Sequence, residues 1–270
     1  MFSDPHRGAG FTAGTLISMN EYEADSTGAL DSIDGNACGT PPKIDLEQDG
    51  STAISGEAGE SPRLFTDGAG RLCITYIGES TGVSPTPEHA YVQCSSDAGH
   101  SFTPLRSLDP AAPAAMDHSL AVGAFGPSHA AAIAWVNQVA DGGGAFLFLA
   151  TSSDDGATWS APAMVPTYVL PGTTTSAPVV NPALAYDATG VLWIAYRVDD
   201  GGLSDRIVVD KSCDGGSTWS GAVLVNGSED EIVAGTFPNM KWPMLVTDDG
   251  VAPHLGASAE ATLDVFGLAP

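Results

Sequence analysis

Three observations predict an all-β fold made of repeated four-stranded sheets. An octapeptide turn motif occurs three times, and its aspartates Asp97, Asp154 and Asp214 lie 57 and 60 residues apart. Two alternating, strand-like segments precede each copy. Gly (32) and Pro (19) are frequent, which favours turns, and no segment has helical periodicity long enough to predict a helix.

The octapeptide has the pattern S-x-D-x-G-x-[ST]-[WF], and each fixed position has a physical reason. The Asp carboxylate can accept backbone N–H bonds across a tight turn, and the Gly supplies a positive φ. The hydroxyl residues add local hydrogen bonds, and the aromatic residue buries a large area against the sheet. We therefore predict a structural role for these positions, which are Ser95, Asp97, Gly99 and Phe102; Ser152, Asp154, Gly156 and Trp159; Ser212, Asp214, Gly216 and Trp219.

A pair of strand-like segments around a short turn precedes each octapeptide. The first pair spans residues 62–76 around an Asp-Gly turn, its counterparts span 118–135 and 182–196, and a fourth begins at Trp242. Short strands at 90–94, 146–150 and 207–210 then lead into the octapeptides. Another short strand, such as 163–166 or 222–225, follows the aromatic residue, so each unit holds four strands, as a β-propeller blade requires. Complete blades are predicted at about 61–110, 117–170 and 181–228.

The motif and the blade pattern resemble those of Asp-box (BNR-repeat) proteins, which include sialidases, related glycosidases, sortilin-like receptors and non-catalytic secreted proteins. The resemblance covers about residues 61–250 and implies a β-propeller of four-stranded blades with Asp-box hairpins. Six blades of this size need about 350 residues. We therefore expect about four to five blades, or a fragment of a six-bladed ring. Residues 61–270 are assigned to the blades, and residues 1–60 to an irregular segment with candidate closing strands at 14–19 and 43–46.

The charge of the chain excludes some partners. The formal net charge is −24, from 33 acidic and 9 basic residues, which argues against binding to nucleic acids or to anionic membranes. The sequence contains no run of 18 apolar residues, so no transmembrane helix is predicted, and its first residues lack the pattern of a signal peptide. The resemblance implies a secreted, cell-surface or periplasmic protein, and an oligomer is expected if the ring is incomplete.

The four cysteines, Cys38, Cys73, Cys94 and Cys213, do not have zinc-site spacing. Cys73 and Cys94 fall on strands predicted to be neighbours, so a disulfide and two buried thiols are both open alternatives. Acidic pairs such as Asp199-Asp200 and Asp248-Asp249 lack the spacing of a calcium loop. We predict no metal site and no cofactor, with Ca²⁺ as a weak alternative.

The resemblance places ligand sites on the rim opposite the Asp boxes, where first strands begin and second strands end. The register predicts the ligand-binding candidates Arg63, Glu79, Asp117, His118, Arg197, Asp199, Lys241 and Trp242. A sialidase would also need three arginines around the substrate carboxylate, a Tyr nucleophile activated by a Glu, and an Asp acid/base. The chain has six arginines, at 7, 63, 71, 106, 197 and 206, and its nearest match to the family's Arg-Ile-Pro signature is Pro62-Arg63-Leu64.

These features predict a non-catalytic extracellular propeller that binds a glycan or another small ligand, without an assigned catalytic residue. The first alternative is an exo-sialidase-like glycoside hydrolase. The second alternative is a structural or protein-docking propeller.

Overall fold

The structure is a computed structural model that describes residues 60–67, 69–79, 88–97, 99, 101–109, 116–139, 145–169, 178–199, 205–225, 242–246, 254–259 and 262–267. These ranges contain fifteen β-strands and no helix, and therefore no helix that could cross a membrane. The candidate strands at 14–19 and 43–46, and the site candidate Lys241, lie outside them. The prediction of an all-β fold is confirmed.

The strands form four antiparallel sheets, which we call blades 1 to 4. Each of the first three blades has four strands in sequential order. Blade 1 contains β1 (Glu60–Thr66), β2 (Leu72–Glu79), β3 (Glu88–Ser95) and β4 (Arg106–Ser107). Blade 2 contains β5 (Met116–Phe125), β6 (Ala131–Val139), β7 (Ala145–Ser152) and β8 (Ala163–Met164). Blade 3 contains β9 (Val179–Tyr186), β10 (Leu192–Asp199), β11 (Asp205–Ser212) and β12 (Val223–Leu224). Blade 4 contains β13 (Trp242–Val246), β14 (His254–Ala259) and β15 (Thr262–Gly267).

The turn between the first and second strands is equivalent in blades 1, 2 and 3. Its first residue donates a backbone hydrogen bond to the carbonyl four positions later: Asp67 to Arg71 (3.2 Å), Gly126 to Ala130 (2.8 Å) and Asp187 to Val191 (3.0 Å). Only the first of these turns has the Asp-Gly sequence. The shared hydrogen bond fixes which residues correspond, so Arg71, Ala130 and Val191 occupy one position of the repeat.

Alternation along the second strand divides the apolar residues of each blade between two faces. Ile133 and Trp135 of blade 2 pack against blade 1, whereas Ala132 and Ala134 pack against blade 3. In blade 3, Tyr196 faces blade 2 in the same way. The two joints on either side of blade 2 therefore each pair the bulky second-strand face of the later blade with the other face of the earlier one.

The Asp-box glycines also contribute to these joints. Gly156 has φ +85°, and a Cβ added there would lie 2.5 Å from the Sγ of Cys94 in blade 1. Gly216 has φ +92°, and a Cβ there would collide with Leu149 of blade 2. These glycines are needed both for a left-handed backbone and for close contact with the preceding blade.

Cys73 and Cys94 form a disulfide between β2 and β3, where the two residues are directly opposite. Both are buried, with 0% and 2% of their surface exposed. The disulfide lies in the joint between blades 1 and 2. Of the two alternatives left open by the sequence, the structure shows the bridge, while Cys213 is an exposed free thiol.

Candidate functional site

The three octapeptides form turns with the same hydrogen bonds. In each turn the Ser Oγ accepts the Gly N–H (2.8, 2.9 and 2.7 Å) and the Asp Oδ1 accepts the N–H four residues on (2.9, 2.8 and 2.8 Å). The Asp Oδ2 accepts a Ser or Thr hydroxyl at 2.6 Å in all three. The carboxylates are thus held by their own turns, as expected of a structural element.

These hydrogen bonds predict acid sensitivity. The Thr218 hydroxyl and then the Thr218 N–H lower the pKa of Asp214 to about 2, and the Thr158 hydroxyl lowers the pKa of Asp154 in the same way. Since the folded pKa lies below the unfolded value, this stabilisation is fully present above about pH 4 and is lost as the pH falls through about 2. We expect the difference in urea midpoint between the native chain and Asp214→Asn to shrink over that interval. A difference that is constant between pH 5 and pH 2 would contradict this assignment.

The described rim candidates lie on the first and second strands of their blades, although Arg63 is in the middle of β1, opposite Thr75, and not at its start. The first strands of their blades contain Arg63, Asp117, His118 and Trp242, and the second strands contain Glu79, Arg197 and Asp199. In blade 2, Asp117 and His118 begin β5 opposite Gln138 and Asn137 near the end of β6. In blades 1 and 3, Glu79 and Asp199 end their strands opposite Glu88 and Asp205. Their role in ligand binding stays a prediction.

The first strand of each complete blade is irregular near these candidates. The register shifts between Glu60 and Arg63 in β1 and between Ser119 and Val122 in β5. The pairing of β9 with β10 shifts as well, and Asn181 has φ +52° there. Such bulges redirect side chains and are common beside functional sites. The sequence did not reveal them, because a bulge shows only as a one-residue change in the phase of the alternation, and a strand such as β9, which is at least half-buried at every position, has no strict alternation in which to see it.

Two of the arginines make contacts at the Asp-box end. Arg71 follows the turn between β1 and β2, and its Nε donates to Asp67 Oδ2 at 2.7 Å while its Nη1 binds Asp155 of blade 2. Arg106 donates to the backbone carbonyl of Trp159 at 2.7 Å. Both arginines therefore join blade 1 to blade 2 at the end opposite the predicted ligand rim.

The sheet of blade 3 separates two further arginines. Arg206 is directly opposite Val198, and Arg197 is directly opposite Ile207. Directly opposed residues share a face, and neighbours along a strand do not. Because Val198 packs towards blade 2 and Ile207 towards blade 4, Arg206 and Arg197 are on opposite faces. Blade 3 therefore does not present them as a cluster for one carboxylate.

A buried His–Asp pair near the rim end of blade 1 was not predicted. His89 is adjacent to Glu88 in β3, and its Nδ1 lies 3.1 Å from the backbone oxygen and 3.4 Å from Oδ1 of Asp109. The hydrogen bond to Asp109 raises the pKa of His89. Asp109 Oδ1 also accepts the N–H of Ala90 at 3.1 Å. The pair links the start of β3 to the segment after β4, and repeat analysis could not reveal it because Phe146 and Arg206 occupy the position of His89 in blades 2 and 3.

No cluster of three or more His, Cys, Asp or Glu side chains suited to a metal is found in the part of the chain that the structure describes. The absence of a metal site stays a prediction.

Comparison with known proteins identifies the fold. No family model matches the sequence, and no curated protein matches it. Among solved structures, a Hadza microbial sialidase matches with TM-score 0.56 and 16% identity over 76% of this chain and 43% of its own. A Trypanosoma rangeli sialidase matches with TM-score 0.52 and 14% identity, over 92% of this chain and 42% of its own. An endo-arabinase from Bacteroides thetaiotaomicron matches with TM-score 0.50 and 12% identity, over 80% of this chain and 76% of its own.

The chain therefore has the sialidase-like β-propeller fold, as its turn motif indicated. It spans less than half of the length of either sialidase. At 12–16% identity the likeness concerns the fold.

Proposed function

We propose that this protein is a non-catalytic, extracellular propeller that binds carbohydrate on the rim opposite its Asp boxes. The similar structures support carbohydrate as the ligand class, because two of them are sialidases, one in complex with sialic acid, and a third is an endo-arabinase. The bulged first strands and the polar residues at their starts suit a rim that recognises several hydroxyl groups.

The arrangement of the arginines is the observation that favours binding without catalysis. Arg71 and Arg106 make contacts at the Asp-box end, and Arg197 and Arg206 lie on opposite faces of blade 3. A sialidase-type site needs three arginines converging on one anion. The exo-sialidase alternative is supported by the fold likeness to the two sialidases. The same experiment tests both.

We expect the full chain to bind glycans on an array without hydrolysing a fluorogenic sialic-acid glycoside, with or without Ca²⁺. Replacing the exposed Arg63 by alanine is expected to weaken glycan binding, because a charged hydrogen-bond donor is removed from the rim. Arg106→Ala is the matched control, since it removes an arginine from the Asp-box end. Turnover that is lost in Arg63→Ala or Arg197→Ala would establish the hydrolase instead. If the chain shows neither glycan binding nor turnover, the structural or protein-docking propeller is the alternative that remains.

A further inference from the structure

A groove of about 670 Å³ lies between blades 2 and 3 at the Asp-box end. Its lining includes Ala130 from the β5–β6 turn, Tyr186 at the end of β9, and Asp214 and Gly215 from the third Asp box. The sialidase-like rim is at the opposite end of the blades, so the proposed carbohydrate site does not account for this groove. The corresponding positions at the joint between blades 1 and 2 explain its origin.

At the joint of blades 1 and 2, the corresponding positions hold an arginine and its partners. Arg71 is equivalent to Ala130, Phe125 at the end of β5 is equivalent to Tyr186, and Asp155 is equivalent to Gly215. The Arg71 guanidinium carbon lies 4.8 Å from the centre of the Phe125 ring, and its Nη1 binds Asp155. Blade 1 thus places a guanidinium between an aromatic ring and a carboxylate of blade 2.

The joint of blades 2 and 3 keeps the aromatic ring and lacks the arginine. Ala130 and Gly215 are too short to meet, and no atom lies within 4 Å of a Cβ placed on Gly215. Tyr186 is buried, with only 7% of its surface exposed. Its hydroxyl has no hydrogen-bond partner among the described residues, and burial raises its pKa to about 12. Tyr186 lines the groove, so its hydroxyl is available to a ligand that binds there.

The groove lining contains a carboxylate and no basic side chain among the described residues. Five of its hydroxyls already donate their proton to neighbouring oxygens: Ser152, Thr158, Ser160, Thr189 and Ser217. These five hydroxyls have no proton left to donate, and of their oxygens those of Ser152 and Ser160 already accept backbone N–H groups. The Asp214 carboxylate is negatively charged. An anionic ligand is therefore disfavoured, and a cationic donor is favoured.

We propose that the groove binds the guanidinium group of an arginine side chain presented by a partner protein, in the place that Arg71 occupies one joint earlier. The planar group contacts the part of Tyr186 that lines the groove and donates to Asp214 and to the hydroxyl oxygens around it. The net charge of −24 favours approach of such a basic partner.

The test is titration of the isotope-labelled full chain with N-acetyl-arginine amide, followed by NMR. We expect saturable shifts at the amides of Ser128, Gly190, Gly215 and Ser217, all of which line the groove. The uncharged isostere N-acetyl-citrulline amide should not produce them. Ala130→Arg combined with Gly215→Asp should abolish them, because it rebuilds the Arg71–Asp155 pair inside the groove. The positive φ of Asp155 (+61°) is close to that of Gly215 (+69°), so an aspartate suits this backbone.

Val223→Arg is the matched control, since it adds an arginine at an exposed position on β12 outside the groove lining and leaves the groove open. It should bind like the native chain. Unsaturable shifts spread over the acidic surface would overturn the proposal, as would equal responses to the arginine and citrulline compounds. Undiminished binding to the double variant would overturn it too. None of these outcomes depends on whether the opposite rim binds carbohydrate.

Discussion

Gly156→Ala is expected to lower the free energy of unfolding by about 2–4 kcal/mol. The left-handed backbone at φ +85° accounts for roughly 1 kcal/mol of this loss, since alanine is strained there. The remainder comes from the added methyl group, whose carbon would lie 2.5 Å from Cys94 Sγ and 3.2 Å from Cys73 Sγ. A buried disulfide between two paired strands cannot rotate away, so the joint between blades 1 and 2 must open instead.

The chain contains a matched control for this prediction. Gly215 also has a positive φ (+69°) and lies in the third Asp box, but an added Cβ there meets no atom within 4 Å. Gly215→Ala should therefore show the backbone cost alone, about 1 kcal/mol. Urea denaturation of both variants separates the two effects. Equal losses for the two variants would show that the contact with the disulfide contributes nothing to stability.

Removal of the Cys73–Cys94 disulfide is expected to destabilise the chain by about 3 kcal/mol in the chain-entropy model. The bridge closes a loop with a sequence separation of 21 residues, which reduces the conformational freedom of the unfolded chain. The double variant Cys73→Ala/Cys94→Ala also loses sulfur packing against Gly156. With a urea m-value of roughly 3 kcal/mol/M, the unfolding midpoint should fall by about 1 M.

The free cysteine provides the control for the disulfide experiment. Cys213→Ser changes an exposed thiol in the third Asp box and should leave the midpoint where it is. The native chain should lose stability on full reduction, and the double variant should not respond to the reductant. If reduction leaves the native midpoint unchanged, the bridge does not form in solution.

The repeat predicted the fold well because its signals are local. Each octapeptide contains its own hydrogen-bond partners, so Asp97, Asp154 and Asp214 could be aligned without knowledge of the surroundings. The spacing of 57 and 60 residues between the copies then left room for four short strands and their turns in each unit. The short fourth strands were also expected, although the structure gives them only two residues each. In blade 4 a third strand, β15, follows the two that the sequence indicated.

The sequence was less informative wherever one blade meets the next. The Arg71–Asp155 contact joins residues 84 positions apart, and it depends on which turn faces which Asp box. The groove results from Ala130 and Gly215, two residues that have no chemical signal of their own. The His89–Asp109 pair depends on a histidine that blades 2 and 3 replace by Phe146 and Arg206, so comparison between repeats could not reveal it. Ligand candidates were located along their strands, but their convergence depends on distances between blades.

The directional joints between blades govern how the molecule can assemble. A joint uses two different surfaces, as Ile133 and Trp135 of blade 2 do against the opposing residues of blade 1. Such a head-to-tail contact is heterologous, so it has no two-fold partner and can be repeated without limit unless it closes on itself. Blade 1 has its own bulky face, with Ile74 and Tyr76 on the side away from blade 2. If one joint opened while its two surfaces stayed intact, the exposed surfaces would be complementary and not identical, so association through them would favour a filament over a symmetric dimer.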